Sequence, residues 1–518
     1  MPLSIGRHLG RKLVHPIFGF VLPALLCAFY MWRVWDFTVD DAYISYRYAR
    51  NLARGLGLVY NPGERVEGYT NFLWTVLLAG GIRVGIDPNV LAKVLGAGAA
   101  ILALAGCYRL DTLLAPVRRT PPLGAWFLAT SAPFTGYAVF GLETAAFAAC
   151  AVWGLVLAEL ERRGEVRWPA SAVVFAVATL LRPEGPMLFG FSLLVFGRRM
   201  FGRAGFLRIA VFALPVLAHL AFRRAYYGLW VPFTFVAKTG DLAAQVAGGK
   251  VYLADYLEHA GPIWWACPVA LAWFAWRRSS LGLAATGACL AWAGYVVAVG
   301  GDWMKFFRFF VPIEPIGFAA CAHLLRRGLD GRRLLVRLLA GAYLAFALWG
   351  RPARLDGAHR VFMVDERLFW RNAAGQTADW LLRHERGTVG IGDLGYVGYA
   401  TDYPILDLLG LVDPVIGRLP GGYTRKLGPG FTDRIFDVMP RYLVFILGNG
   451  CNKAYMAGSK RIYHDPRFAP NYALAHELPV GARVSWCIFE RRDAPAAPSA
   501  PEPKRRADLR PVTTAGTG

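Results

Sequence analysis

The chain has 518 residues, and its mean hydropathy is +0.37. Hydrophobic residues make up 56% and charged residues 18%, the charges clumped between long apolar runs; this excludes an ordinary soluble domain and describes membrane spans joined by short loops. The net charge of +22 sits in short Arg clusters at the ends of apolar runs, so the positive-inside rule accounts for it and no basic face for nucleic acid is implied.

In chain order, the first apolar run, from about Phe18 to Trp35, follows Arg7, Arg11 and Lys12 and lacks an Ala-x-Ala-type cleavage site. It is expected to remain as a first span with a cytoplasmic N-terminus. Residues 36–70 then lie outside, and Arg118 and Arg119 inside, so an odd number of crossings separates them. The run 70–86 is short and contains Arg83; it is expected to be a re-entrant or juxtamembrane helix on the outer face. Further spans are expected near 90–112, 122–140, 143–160, 168–182, 186–198, 205–222, 261–276, 281–300, 306–325 and 333–350, making about eleven with the first. Cys27, Cys107, Cys150, Cys267, Cys289 and Cys321 lie in apolar runs and read as small core residues.

This topology gathers every unusual polar segment on one side: 36–70, 141–143, 182–185, 223–260, 300–305 and everything after 350. Polar residues at a membrane edge are functional candidates. Asp40 and Asp41 precede an expected helix from about Ala42 to Arg54. They cap it or favour its dipole, and they also form an acidic pair able to act as base or metal ligand. Tyr43, Arg47, Arg50 and Arg54 share one face of that helix by their spacing; Arg suits phosphate through its bidentate fork, and a solvated or lipid-headgroup face is the alternative. Glu67, Tyr69 and Asn71 fall in a turn-rich aromatic stretch that suits sugars. Glu143 stands at one span edge, and the Arg182–Glu184 pair at another. Lys238 follows an aromatic run, and Asp302, Trp303, Lys305 and Arg308 fall within one short segment. The cations are candidates for an anionic headgroup or a donor phosphate, and also for snorkelling anchors.

From Arg351 the long apolar runs stop. Thr377–Arg383 reads as the end of an amphipathic helix, and Thr388–Gly392, Tyr442–Ile446 and Arg483–Phe489 read as short strands. The chain therefore divides into a membrane domain, 1–350, with a large first outer loop, 36–86; a soluble α/β domain, 351–492; and a disordered Ala-, Pro- and Arg-rich tail, 493–518. Cys451 and Cys487 fall in the soluble domain near expected strands. Outside the cytoplasm they are candidates for a disulfide worth roughly 3 kcal/mol; two free buried thiols are the alternative.

Taken in order, Asp40-Asp41-Ala42-Tyr43, Tyr60-Asn61-Pro62-Gly63-Glu64, Glu67-Gly68-Tyr69-Thr70, Gly141-Leu142-Glu143, Arg182-Pro183-Glu184, Tyr227-Gly228 with Pro232 and Lys238, and Gly301-Asp302-Trp303 with Arg308 resemble the bacterial membrane glycosyltransferases of the GT-C superfamily. The nearest branch is the actinobacterial terminal arabinofuranosyltransferases of cell-wall arabinan. The resemblance extends more loosely through Gly392-Asp393-Leu394-Gly395 and Asp407-Leu408-Leu409-Gly410-Leu411. It implies a polytopic α-helical membrane fold with an essential acid in the first outer loop, and a polyprenyl-phosphate sugar as donor. It also implies a periplasmic C-terminal domain that helps hold a glycan, lipid or protein acceptor, with the protein in the bacterial plasma membrane.

On this reading Asp40 and Asp41 are the catalytic pair, and either would carry a divalent metal if one is used. Arg47, Arg182, Lys238, Lys305 and Arg308 hold the donor phosphate. Tyr43, Glu67, Tyr69, Asn71, Glu143, Glu184, Asp302, Trp303 and Asp393 contact the sugar or acceptor. The sugar, arabinofuranose or a hexose such as mannose, stays open, as do stereochemistry and metal dependence. A polyprenyl-lipid flippase or transporter is the rival class. It would favour inverted repeats and broken helices near mid-membrane, and the sequence shows no internal repeat. A scaffold would not need clustered acids and bases on one face.

Overall fold

The computed structural model describes residues 15–114, 120–422, 425–448, 450–454, 456–480 and 483–492. Arg7, Arg11, Lys12, Arg118, Arg119 and the tail 493–518 lie outside the described residues. Among those described, six helical stretches are long and apolar enough to cross a membrane: Pro88–Leu114, Thr144–Arg163, Arg203–Tyr227, Ser280–Val299, Arg308–Leu329 and the run beginning at Leu334. Ile17–Arg33, Phe72–Arg83, Ala170–Leu181 and Pro262–Trp276 are shorter apolar helices.

The bundle packs through small residues. Gly96 lies so close to the neighbouring chain that an added Cβ would stand 2.1 Å from the carbonyl oxygen of Ala138. The expected continuous span 122–140 is instead two short helices, Gly124–Ala129 and Ala132–Tyr137. Ser131 caps the second of them, its hydroxyl accepting from the Phe134 N–H, and Pro133 follows in the first turn. A proline there has no N–H to continue the preceding helix. Ser131 also donates to the buried Glu314 carboxylate. Packing on the bundle continues beyond the last long apolar run, because Arg351 is buried and bonds the carbonyls of Phe127 and Ala260.

The C-terminal part carries a five-stranded mixed sheet of order β2-β1-β3-β5-β4. Its strands are β1 (Val389–Ile391), β2 (Ile405–Asp407), β3 (Tyr442–Gly448), β4 (Tyr472–Pro479) and β5 (Val484–Arg491). β1 runs parallel to β2 and β3, whereas β5 is antiparallel to β3 and β4. Strands β2 and β4 are additional to those legible in the sequence. β2 has three residues, too few to show a period, and β4 has an irregular register between Leu474 and His476. Cys451, in the turn after β3, is joined by a disulfide to Cys487 in β5, with Cα atoms 5.8 Å apart, inside the range such bridges require.

The first outer loop and this sheet are docked together by one helix, Asp40–Ala53. The Asp40 carboxylate accepts from the N–H groups of Gly395 and Tyr396, at 2.9 and 2.8 Å, at the start of the helix Gly395–Thr401. Arg47, fully buried, donates to the carbonyls of Tyr60, Gly398 and Tyr403. Arg50 donates to the Tyr399 carbonyl and pairs with Asp402, which Arg54 also meets. Only glycine fits at position 395, since a Cβ there would stand 2.0 Å from the Asp40 carbonyl oxygen.

Two outcomes follow. Thiol labelling under denaturing, non-reducing conditions should modify six of the eight cysteines, the remaining pair reacting only after reduction; labelling of all eight rules the bridge out. Gly395→Ala should lower stability by about 2–4 kcal/mol, because backbone must move to admit the methyl group. A thermal midpoint equal to wild type in detergent would show that the docking tolerates it.

Candidate active site

A cavity of about 630 Å³ opens where the polar segments meet. Its walls come from distant parts of the chain: the helix Asp40–Ala53 through Asp41 and Ser45, the stretch 68–71, the span edges at 142–143 and 182–184, the segment 231–245, the turn 299–309, and Leu411, Gly422 and Arg425 from the sheet region. The turn exists because the helix Ser280–Val299 ends in two successive glycines with φ of +92° and +75°. Such values favour glycine. They reverse the chain so that Asp302, Trp303 and Arg308 reach the cavity.

Charges on the walls are arranged in fixed pairs. Arg182 donates to Glu143 at 2.9 Å and to Glu184 at 2.9 Å. Asn71 donates to the other Glu143 oxygen at 2.8 Å and hydrogen-bonds Ser45, while Tyr295 donates to Glu184. Arg308 gives its Nε to Asp302 at 2.7 Å; its two terminal nitrogens still carry N–H groups for another anion. Both guanidinium groups lie near the Phe309 ring, at 5.4 and 5.3 Å from its centroid. Lys238, at the end of the helix Phe233–Lys238, lies in the field of Asp41, Asp302 and Arg308. Burial lowers its ammonium pKa, and Asp41 and then Asp302 oppose that. Burial raises the Asp41 carboxyl above its ordinary range, against the pull of Lys238 and Arg308. A carboxylate so placed is a stronger base than one in water.

Ten of the expected residues thus meet around one cavity: Asp41, Tyr69, Asn71, Glu143, Arg182, Glu184, Lys238, Asp302, Trp303 and Arg308. Six do not line it. Asp40 is part of the docking described above, and so is Arg47, whose guanidinium is enclosed by backbone carbonyls and the Tyr60 ring and so is closed to a donor phosphate. Tyr43 packs among Trp370, Tyr396 and Tyr399 on the same docking face. Glu67 is buried in an ion pair with Arg223 at 2.8 Å. Lys305 is exposed and pairs with Asp365. Asp393 follows β1, beside Asp40 and within the field of Asp41.

The helix face carrying Tyr43, Arg47, Arg50 and Arg54, a candidate for phosphate or for a solvated or headgroup-facing surface, is turned to the sheet region in the structure. The opposite face, with Asp41 and Ser45 four residues apart, borders the cavity. That spacing was the available signal for Ser45. Thr234 is one turn before Lys238 in the same way. Tyr295, Gln245 and Arg425 also line the cavity, and no motif marks them. Among the described residues, no group of three or more His, Cys, Asp or Glu side chains is placed to hold a metal ion, and Asp40 is already engaged by two N–H groups.

A family model for a domain of unknown function, DUF8728, matches residues 366–494. The chain is 28% identical over 464 residues to the terminal beta-(1->2)-arabinofuranosyltransferase of Mycobacterium tuberculosis, covering 76% of this chain and 73% of that one. It is 28% identical over 420 residues to the Corynebacterium glutamicum protein of the same name, covering 68% of this chain and 58% of that one. Its fold is shared with ArnT from Cupriavidus metallidurans, whose crystal structure is bound to undecaprenyl phosphate: the TM-score is 0.51 at 14% identity, over 92% of this chain and 98% of that one. The resemblance by sequence to terminal arabinofuranosyltransferases is therefore shown, and the fold is shared with ArnT. The protein is a membrane protein by its apolar helices and by this fold.

Burial pushes the Asp40 carboxyl up to about 7, with Asp393 adding to it and the Tyr396 and Gly395 N–H groups opposing it. A carboxyl whose folded pKa exceeds its unfolded value binds its proton more tightly when folded. Its contribution is greatest in acid and is lost as pH rises from about 4 toward 7. Thermal midpoints of the wild type should accordingly fall with rising pH across that window, and those of Asp40→Asn should fall less steeply. Parallel pH profiles would show that Asp40 does not titrate there.

Proposed function

We propose that this protein is a glycosyltransferase that moves a sugar, arabinofuranose on the example of its relatives, from a polyprenyl-phosphate donor to a cell-envelope acceptor. The reading places the chain in the bacterial plasma membrane with about eleven spans. Residues 351–492 form a soluble domain on the periplasmic side, and the cavity faces that side. The observation that carries it is the setting of the Asp41 carboxylate beside Lys238 and the Arg308–Asp302 pair in a cavity walled by the outer loops.

The chemistry needs two things of such a site. A leaving phosphate must be stabilised, and an acceptor hydroxyl must lose its proton. Asp41 takes that proton while the acceptor oxygen bonds the anomeric carbon. The bond between that carbon and the phosphate oxygen breaks, and its electron pair leaves with polyprenyl phosphate. Lys238 and the terminal nitrogens of Arg308 neutralise the departing anion. Arg182, already held by Glu143 and Glu184, fixes those two carboxylates in the wall. Trp303 is half exposed at the cavity and offers its ring to a sugar face. The bound undecaprenyl phosphate of ArnT supports a polyprenyl-phosphate donor. The curated relatives' names support the sugar.

The test is transfer from a synthetic polyprenyl-phosphate arabinofuranose to an arabinan oligosaccharide by the purified chain in nanodiscs, followed by mass spectrometry. Asp41→Asn should lower turnover by ~10²–10⁴-fold with the thermal midpoint retained. Arg308→Ala should raise the donor KM. Lys305→Ala should change neither. Near-normal turnover by Asp41→Asn, or no transfer by the wild type from any polyprenyl-phosphate sugar, overturns the reading.

A further inference from the structure

Among the described residues, a short set of buried side-chain polar atoms has no hydrogen-bond partner. The Thr234 hydroxyl is in that set, and Thr234 is the one residue of the set that lines the cavity. The residue is 6% exposed, and its hydroxyl is shielded from solvent as well as from protein partners. Native structures rarely leave a buried hydroxyl unpaired without a reason. In threonine the reason is testable, because rotation about χ1 exchanges the methyl and hydroxyl positions between staggered wells with the backbone at rest.

The surroundings specify what the hydroxyl would meet. Thr234 and Lys238 are four residues apart on the helix Phe233–Lys238, so their side chains project from one face about one turn apart. Phe233 and Ala237, on the adjoining face, are buried in the sheet-side core and fix the helix in rotation. Once χ1 of Thr234 has turned its hydroxyl toward the cavity, the wall at this helix offers an ammonium and a hydroxyl about one turn apart. Two donors at that spacing suit an anion with several equivalent acceptor oxygens better than a single sugar hydroxyl.

We propose that the Thr234 hydroxyl donates a hydrogen bond to a non-bridging oxygen of the donor phosphate that Lys238 holds, so that the two residues together form the phosphate seat. This rests on the donor reading given above. The phosphate releases the hydroxyl from its unpaired state, so part of the binding preference for a phosphate-bearing lipid resides in Thr234.

The experiment measures binding of polyprenyl phosphate without a sugar, and separately donor kinetics, with the full chain in nanodiscs. Thr234→Val keeps shape and removes the hydroxyl. It should weaken polyprenyl-phosphate binding about tenfold and raise the donor KM by a similar factor at nearly constant kcat, as for an interaction made equally in ground and transition states. Thr234→Ser should restore most of the affinity. Wild-type binding by Thr234→Val overturns the proposal. So does a loss confined to the sugar-bearing donor, because the hydroxyl would then read the sugar. Equal weakening in Thr234→Ser and Thr234→Val overturns it as well, because the methyl group's packing would then be the cause. Absence of polyprenyl-phosphate binding by the wild type defeats the donor reading itself, and this proposal with it.

Discussion

The docking of one face of the helix Asp40–Ala53 against the start of the helix Gly395–Thr401 sets the rest of the site. Arg47 is a buried cation with no carboxylate beside it in its hydrogen-bond set; carbonyl oxygens and an aromatic ring take the place of water. Such a group is costly to bury and more costly to leave half satisfied, so the helix is held in the rotational setting in which the Arg47 guanidinium reaches Tyr60, Asn61, Gly398 and Tyr403. That setting turns Asp41 and Ser45 toward the cavity. Two adjacent aspartates thereby acquire separate jobs. Asp40 joins two parts of the molecule, and Asp41 stands in the chamber.

Around that chamber the ion pairs sort cations by availability. Arg182 has carboxylates on two sides, and a guanidinium so engaged in a water-poor wall is a strut. Arg308 gives Asp302 a single nitrogen. Lys238 stands where the fields of Asp41, Asp302 and Arg308 overlap. An anion entering the cavity would meet charge already oriented, with little rearrangement needed, which is the condition under which electrostatic stabilisation is most effective.

Much of this was legible in the sequence because polar residues are rare in apolar surroundings and so are conspicuous. Glu143, Arg182, Glu184, Asp302 and Arg308 each interrupt or border an apolar run, and each lines the cavity. Cys451 and Cys487 stood out as the two cysteines beyond the apolar runs. What the sequence concealed was orientation. Tyr43, Arg47, Arg50 and Arg54 form a regular stripe, which from the sequence reads as an anion site or as a solvated or headgroup-facing surface, whereas the structure uses it to dock onto carbonyls. The deciding partners, the carbonyls of Gly398, Tyr399 and Tyr403, are backbone atoms that carry no sequence signal. Lys305 looked like Arg308 in the same segment, yet it pairs with Asp365 at the surface. Thr234 was hidden for a related reason, since one threonine beside a proline and two phenylalanines is unremarkable until its hydroxyl is found unpaired.

The contact between Asp40 and Gly395 joins residues 355 positions apart, and that between Asn61 and Ile405 joins residues 344 apart. Proteins are made from the N-terminus, and contacts so distant in sequence form late and slowly. Until the segment around residue 395 is made, the segment that carries Asp41 therefore lacks the surface that orients it. The spans can be inserted and packed while the chamber is still unformed; only when the segment around residue 395 has emerged and folded does Asp41 take its direction. A nascent chain, or one truncated before residue 395, would keep its apolar helices but leave Asp41 without the partner surface that gives it direction.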